Sequence, residues 1–276
     1  MPLNTKNIVL IHGLWMTPHS WRRFIGHYET LGYRVLAPAW PRMAGDVEQL
    51  RKDPSALAGL GVREIADHYD RIVRSLPEVP ILMGHSFGGL IVQMLLDRGL
   101  GAAGVAIDAT APKGVFRLPL SQLRAANPVL SNPLNYGRTV MLTFNQFRYA
   151  FANTMSERDA REAYELDAIP GPGRPLFQAA FANFTSDAAT AVNFQNSRRA
   201  PLLLINGSED NTVPASVNRS VFRKYGSANA ITEYKEFIRR SHLIVGQTGW
   251  EEVADYALSW AVANSFQLGP RMVEAA

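Results

Sequence analysis

The chain of 276 residues contains no cysteine. Disulfide bonds and thiolate chemistry are therefore excluded, and cysteine usage gives no indication of the cellular compartment. Long apolar runs are also absent, since none approaches the roughly 18 residues of a membrane-spanning helix. Met1–Asn7 shows no basic segment followed by an apolar signal core. We therefore expect a cytoplasmic protein that has no membrane span.

Clusters of like charge are missing as well. The net charge is +4, but the basic residues are scattered, as in the pairs Arg22-Arg23, Arg198-Arg199 and Arg239-Arg240. Neither a basic helix nor an aromatic-interleaved RNA-binding motif is present, so we expect no nucleic-acid partner. No pair of histidines stands at metal-ligand spacing with carboxylates, so no metal site is expected.

Apolar runs and helical patterns alternate along much of the chain. The runs are Asn7–Ile11, Tyr33–Pro38, Val79–Met83, Gly104–Asp108, Pro201–Gly207 and Ile231–Phe237. Strands of a parallel sheet are buried on both faces and are therefore apolar throughout. The spacing predicts an α/β fold with a doubly wound, mainly parallel sheet of about six strands. Residues 40–60, with two prolines and two glycines, are predicted to form a long loop.

The alternation stops between residues 111 and 199. Stretches containing proline and asparagine there separate helical patterns rich in phenylalanine, and no strand-like run interrupts them. Ser156, followed three residues later by Asp159, is typical of a helix N-terminus. We therefore predict a helical cap, residues 111–199, inserted into a core formed by residues 1–110 and 200–276. Gln267–Ala276 is expected to be a loose tail.

The third apolar run ends at a Gly-x-Ser-x-Gly pentad, Gly84–Gly88. In a sharp strand-to-helix elbow the serine takes strained backbone angles, and glycines are needed where a Cβ would collide with neighbouring backbone. Gly88 and Gly89 then provide a small-residue start for a helix. The pattern predicts that Ser86 is an exposed nucleophile above the sheet.

Two polar residues follow later strands of the predicted sheet. Asp210 comes after the fifth run and His242 after the sixth, so both loops open at the same sheet edge as Ser86. The order Ser, Asp, His is the one expected after a nucleophile elbow. His242 would take the serine proton and later give it to the leaving group, while Asp210 would fix its tautomer. Asp108 and, less favourably, Glu209 are alternative acids.

These motifs resemble those of the α/β-hydrolase superfamily. The matching segments are Ile11–Trp15, Gly84–Gly89, Gly207–Pro214 and Ser241-His242, which span nearly the whole chain except the cap. The resemblance implies an oxyanion hole formed by the backbone N–H groups of Leu14 and Phe87. The chain enters its sheet at the His-Gly strand, so the first two antiparallel strands of the family are expected to be missing. Six parallel strands would remain.

The resemblance implies a serine hydrolase of carboxylic esters that forms an acyl-enzyme on Ser86 and needs no cofactor. Its substrate would be a small molecule with an apolar acyl or alcohol part. Candidate substrate contacts are His12, Trp15, Phe144, Phe147 and Phe181. His12 is alternatively a structural residue of the oxyanion loop, and His85 is expected to be structural.

Other reactions remain open at this point. Hydrolysis of lactones, amides or carbon–carbon bonds would use the same residues. A lyase or a cofactor-free oxygenase would use His242 as a base without an acyl-serine. A non-catalytic receptor is disfavoured, because binding alone does not require a Ser-His-Asp set.

Overall fold

The computed structural model describes residues 5–265, which contain eight strands and ten α-helices. The strands are β1 (Asn7–Ile11), β2 (Arg34–Leu36), β3 (Ile81–His85), β4 (Ala103–Ile107), β5 (Thr139–Val140), β6 (Gly171–Pro172), β7 (Leu202–Gly207) and β8 (Thr232–Phe237). The helices are α1 (Arg22–Thr30), α2 (Val47–Lys52), α3 (Val62–Ser75), α4 (Phe87–Asp97), α5 (Leu120–Leu130), α6 (Phe144–Ala150), α7 (Glu157–Asp167), α8 (Arg174–Ala180), α9 (Ala215–Tyr225) and α10 (Trp250–Asn264). The tail expected at Gln267–Ala276 lies outside the described residues.

Six strands form one parallel sheet in the order β2-β1-β3-β4-β7-β8. Every residue of β1, β3, β4 and β7 is buried. This burial explains the continuous apolar runs, because helices cover both faces of the sheet. The prediction of an α/β fold with six parallel strands is confirmed.

The two faces of the sheet carry separate apolar cores. Ile8 and Leu10 of β1 pack with the aromatic side chains of α1 and with α10. Val9 and Ile11 point to the other face and pack with α3, α4 and α9. Alternate residues of one strand thus bury against opposite helix layers, as the two-residue period of a strand requires.

Two local predictions need correction. Residues 40–60 are not a continuous loop, because α2 lies within them, begun by a capping box in which Asp46 and Gln49 each bond the other's backbone N–H. Strands are also present between residues 111 and 199, where β5 and β6 pair antiparallel over two residues each. The N-cap at Ser156 does form, and its side chain accepts the N–H of Asp159.

No helix within residues 5–265 has both the length and the apolar character needed to cross a membrane.

Candidate active site

Ser86 lies between β3 and α4 with φ 56° and ψ −118°. A non-glycine residue with positive φ is strained and persists only where its surroundings impose it. Here they do, because a Cβ on Gly84 would collide with the carbonyl oxygen of Gly88, and a Cβ on Gly88 with that of Ile11. The two glycines of the pentad therefore allow β1, β3 and α4 to meet at Ser86.

The backbone of Ser86 is fixed to β4 and to the loop that follows it. Its N–H donates to the carbonyl of Ile107 at 2.9 Å, and its carbonyl accepts the N–H of Thr110 at 3.0 Å. The backbone of Ser86 is therefore held in place, and the residue, which was predicted to be exposed, is only 3% exposed and lines the cavity described below. Both residues of the predicted nucleophile turn, Ser86 and Phe87, line that cavity.

His242 and Asp210 form a buried pair beyond β8 and β7. Nδ1 of His242 lies 2.7 Å from Oδ2 of Asp210. The other oxygen of Asp210 accepts the backbone N–H groups of Thr212 at 2.7 Å and Val213 at 2.8 Å. Since the carboxylate is an acceptor, Nδ1 carries the proton and Nε2 keeps its lone pair. Nε2 is buried and has no hydrogen-bond partner among the described residues, so Oγ of Ser86 does not bond it here.

The imidazole of His242 is held between two rings. His85 lies with its ring centroid 4.7 Å away, and Phe151 approaches edge-on at 4.9 Å. Nε2 of His85 lies 2.7 Å from the backbone carbonyl of His242, to which it donates. Burial, aided by the neighbouring His242, holds the pKa of His85 well below its usual range, so this ring is neutral. His85 thus couples β3 to the histidine loop.

Asp108 lies beside Asp210 at the end of β4. It is fully buried, has φ 45°, and its Oδ1 accepts the N–H of Gly207 at 2.7 Å. Burial, followed by the charge of Asp210 and a hydrogen bond between the two carboxyl groups, raises the pKa of Asp108 well above its usual range. The neutral, protonated form of Asp108 is therefore favoured beside the Asp210 carboxylate.

The loop after β1 is shaped by His12. Its Nδ1 lies 2.9 Å from the carbonyl of Gly13, and its Nε2 accepts the N–H of Trp40 at 3.2 Å. Its ring also stacks on the Trp40 indole. A Cβ on Gly13 would lie 2.8 Å from Cβ of Ser86, so only glycine lets this loop pass so closely. Among the hydrogen bonds of residues 5–265, none engages the backbone N–H of Leu14.

A cavity of about 140 Å³ opens at Ser86. Its wall includes four small side chains on two helices of the 111–199 segment. They are Ala125 and Ala126 on α5 and Ala179 and Ala180 on α8. The site therefore combines one buried polar constellation with a mainly apolar pocket, which is usual for small-molecule sites.

Residues 8–256 match the alpha/beta hydrolase family. The chain belongs to this family. A comparison with curated proteins finds no match.

Solved structures of other members have a similar fold. The monoacylglycerol lipase of Paleococcus ferrophilus is 23% identical with a TM-score of 0.66, over 94% of this chain and 95% of that chain. Polyneuridine aldehyde esterase is 21% identical with a TM-score of 0.66, over 94% of this chain and 100% of that chain. A pyrethroid hydrolase from Sphingobium faniae JZ-2 is 20% identical with a TM-score of 0.64, over 93% and 97%.

The pocket of this alpha/beta hydrolase differs from the one expected from the sequence. Trp15 lines it, but His12, Phe144, Phe147 and Phe181 do not. His12 and Phe147 are fully buried, Phe144 packs against Tyr164, and Phe181 is 54% exposed beside Phe177. Phe144 and Phe147 thus pack inside the 111–199 segment, and the alanines that line the pocket carry no recognisable motif.

The 111–199 segment is joined to the site of this alpha/beta hydrolase by hydrogen bonds that no sequence motif indicates. The C-terminal carbonyls of α6 and the residue after it accept three hydrogen bonds. Asn211 donates to Tyr149 at 2.9 Å, Thr212 Oγ1 to Ala150 at 2.7 Å, and the N–H of Leu243 to Phe151 at 2.8 Å. Helix ends leave such carbonyls unpaired, so α6 offers acceptors to the acid and histidine loops.

His85, Asp108 and His242 offer ligand atoms within 4.8 Å of one another, the kind of grouping that could hold a metal ion. Each residue already has another protein partner, however. His242 Nδ1 bonds Asp210, His85 Nε2 bonds a carbonyl, and Asp108 takes the N–H of Gly207. These hydrogen bonds account for the clustering of the three side chains.

His12 makes the stability of the protein depend on pH. Burial lowers its pKa from 6.5 to about 4, so its neutral form is favoured in the folded state. The resulting stability is complete above the unfolded pKa and is lost as the pH falls from about 6.5 towards 4. Between pH 7 and pH 5 this amounts to about 2 kcal/mol. We expect His12→Gln to remove that part of the pH dependence.

The measurement is urea-induced unfolding of both proteins at pH 7 and pH 5. His85 contributes in the same direction and is unchanged in the variant, so some dependence will remain. Equal losses of the free energy of unfolding in wild type and His12→Gln would contradict the assignment of a neutral, buried His12.

Proposed function

We propose that the protein is a serine hydrolase that cleaves carboxylic esters through an acyl-enzyme on Ser86. The observation that carries the proposal is the 2.7 Å bond between Asp210 and His242, which leaves Nε2 of His242 as an available base. It occurs together with a serine that is held at positive φ and lines a mainly apolar cavity. The lipase and esterases among the structural neighbours make esters the first substrates to assay.

In the proposed acylation, Oγ of Ser86 attacks the ester carbonyl carbon while Nε2 of His242 takes the hydroxyl proton. The carbonyl oxygen becomes an oxyanion that would accept the N–H groups of Leu14 and Phe87. When the intermediate collapses, the carbon–oxygen bond to the alcohol breaks. His242 gives its proton to the departing alkoxide, which leaves the acyl group on Ser86.

Deacylation repeats these steps with water. His242 takes a proton from water as the water oxygen attacks the acyl-serine, and the oxyanion forms in the same place. The acid then leaves and Ser86 regains its proton from His242. Asp210 keeps the imidazole in one tautomer throughout and stabilises the imidazolium that forms between steps.

Ser86 should react with a fluorophosphonate probe, because the proposed nucleophile attacks phosphorus as it would attack a carbonyl carbon. Ser86→Ala should lose both the label and ester turnover, the latter by several orders of magnitude. Mass spectrometry of the labelled protein locates the adduct. An adduct on another residue, or an active enzyme that takes no label, would favour a non-hydrolytic use of His242.

Asp210 and Asp108 should differ sharply in their effect on turnover. Asp210→Asn should lower kcat on the order of a thousandfold or more, because an amide favours the wrong tautomer of His242. Asp108→Asn should lower it less than tenfold, since an amide is neutral like the protonated carboxyl and has N–H groups that can donate to Asp210. Kinetics of the two variants on one p-nitrophenyl ester provide matched controls, and the reverse ranking would make Asp108 the acid.

The cavity should set a preferred acyl length. A volume of about 140 Å³ holds roughly four or five groups the size of a water molecule or a methylene. Each methylene buried contributes about 0.8 kcal/mol, or nearly fourfold in kcat/KM. We expect kcat/KM for p-nitrophenyl esters to rise from acetyl to about hexanoyl and then to level off or fall.

Ala126→Phe tests the same cavity by filling it. The variant should lose the gain on longer chains while acetyl turnover, which needs little of the cavity, serves as the control. A steady preference for acetyl in the wild type would instead favour a small polar substrate.

A further inference from the structure

The entrance of the Ser86 cavity is surrounded by large apolar side chains that face solvent. Five of them form what we call the apolar rim: Phe116 (73% exposed), Leu118 (62%), Leu120 (84%), Leu123 (45%) and Phe184 (83%). All except Leu120 also line the cavity. Leu120 is the first residue of α5, two positions after Leu118. The rim and the path to Ser86 are therefore one continuous surface.

Such a grouping differs from the scattered apolar residues found on most surfaces. Single exposed leucines are common in soluble proteins and need no explanation. Several large ones around one opening keep apolar area in water, which is unfavourable unless a partner covers it. The rim therefore indicates an interaction surface.

The charge on residues 109–156, which carry most of the rim, is of one sign. Residues 109–156 include no aspartate or glutamate but contain Lys113, Arg117, Arg124, Arg138 and Arg148. Arg117 lies within the rim, between Phe116 and Leu118, and is exposed. Within residues 5–265 it makes no ion pair.

The acidic residue nearest in sequence to Phe184 on the other side of the rim is already paired. Asp187, three residues after Phe184, forms an ion pair with Arg63. Lys113, close by, donates to the carbonyls of Thr185 and Ser186. The rim thus presents apolar side chains together with a cation, Arg117, that has no ion-pair partner in the described part of the chain.

We propose that the apolar rim and Arg117 dock the protein on the surface of an anionic lipid assembly. Apolar side chains next to basic ones are the combination that binds the boundary between lipid headgroups and acyl chains. Apolar contacts hold such a surface in place, and the cations are attracted to anionic headgroups. Docked in this way, the cavity entrance faces the lipid, and an apolar substrate reaches Ser86 without crossing water.

The charge pattern favours a lipid surface over a second copy of the chain. Two copies meeting through this face would bring their cations together without acidic partners from residues 109–156. Like charges brought together at an interface are unfavourable, whereas an anionic surface neutralises them. The proposal concerns binding, and it does not depend on the hydrolytic function proposed above.

The test measures flotation of Ser86→Ala protein with vesicles, because this background separates binding from turnover. We expect binding to vesicles of phosphatidylcholine mixed with phosphatidylglycerol, weaker binding to phosphatidylcholine alone, and loss of the difference in high salt. Adding Leu120→Asp should weaken binding more than tenfold. Adding Arg117→Gln should weaken it about fivefold on anionic vesicles.

Ile231→Asp is the matched control. Ile231 is 47% exposed but precedes β8, at the sheet edge opposite Ser86, so binding should not change. Leu120→Asp places a carboxylate in the first turn of α5, where the helix dipole favours it, so the variant should fold. In a background with Ser86 intact, it should leave turnover of a soluble ester unchanged, because Leu120 does not line the cavity.

Three outcomes would overturn the proposal. One is the absence of binding to both kinds of vesicle. Another is binding that Leu120→Asp weakens no more than Ile231→Asp does. The third is a dimer, detected by sedimentation, that Leu120→Asp dissociates while vesicles are not bound, which would make the rim an interface between copies.

Discussion

Close approach of backbone to backbone at Ser86 is the constraint on which the site depends. Gly84, Gly88 and Gly13 are the points where a Cβ would meet a neighbouring carbonyl or the serine itself. This crowding holds Ser86 at an unfavourable φ and makes β1, β3 and α4 a single rigid unit. Asp210 and His242 lie in the loops after β7 and β8. These loops open at the same edge of the sheet as Ser86, whose position is fixed.

Burial then decides which of the clustered titratable groups carry charge. Four of them, His12, His85, Asp108 and His242, are at most 1% exposed, and Asp210 is 3% exposed. Desolvation favours the neutral form of His12, His85 and Asp108, as the direction of each pKa shift shows. Two backbone N–H groups and one imidazole surround the Asp210 carboxylate, so its charge is compensated by hydrogen bonds. This group of buried residues therefore does not hold several uncompensated charges close together.

The sequence predicts the sheet well because its central strands are continuous apolar runs, a pattern that burial on both faces imposes. The loop positions of Ser86, Asp210 and His242 follow from the same pattern, since each lies in the segment that follows a strand. The pocket was less predictable. A helical stripe such as that of Phe144 and Phe147 looks alike whether it packs inside its own segment or lines a cavity. Small side chains such as Ala179 give no periodic signal at all, and two-residue strands such as β5 are too short for one.

The alanines of α5 and α8 that line the cavity bear on how the shape of the cavity could change during evolution. Ala126 and Ala179 sit on helices, where alanine is the most favourable residue, and they are far along the chain from Ser86 and His242. Replacing one of them by a larger apolar residue reshapes the cavity without altering the elbow or the buried carboxyl pair. Changes of ligand preference are therefore accessible through single substitutions that leave the polar constellation intact.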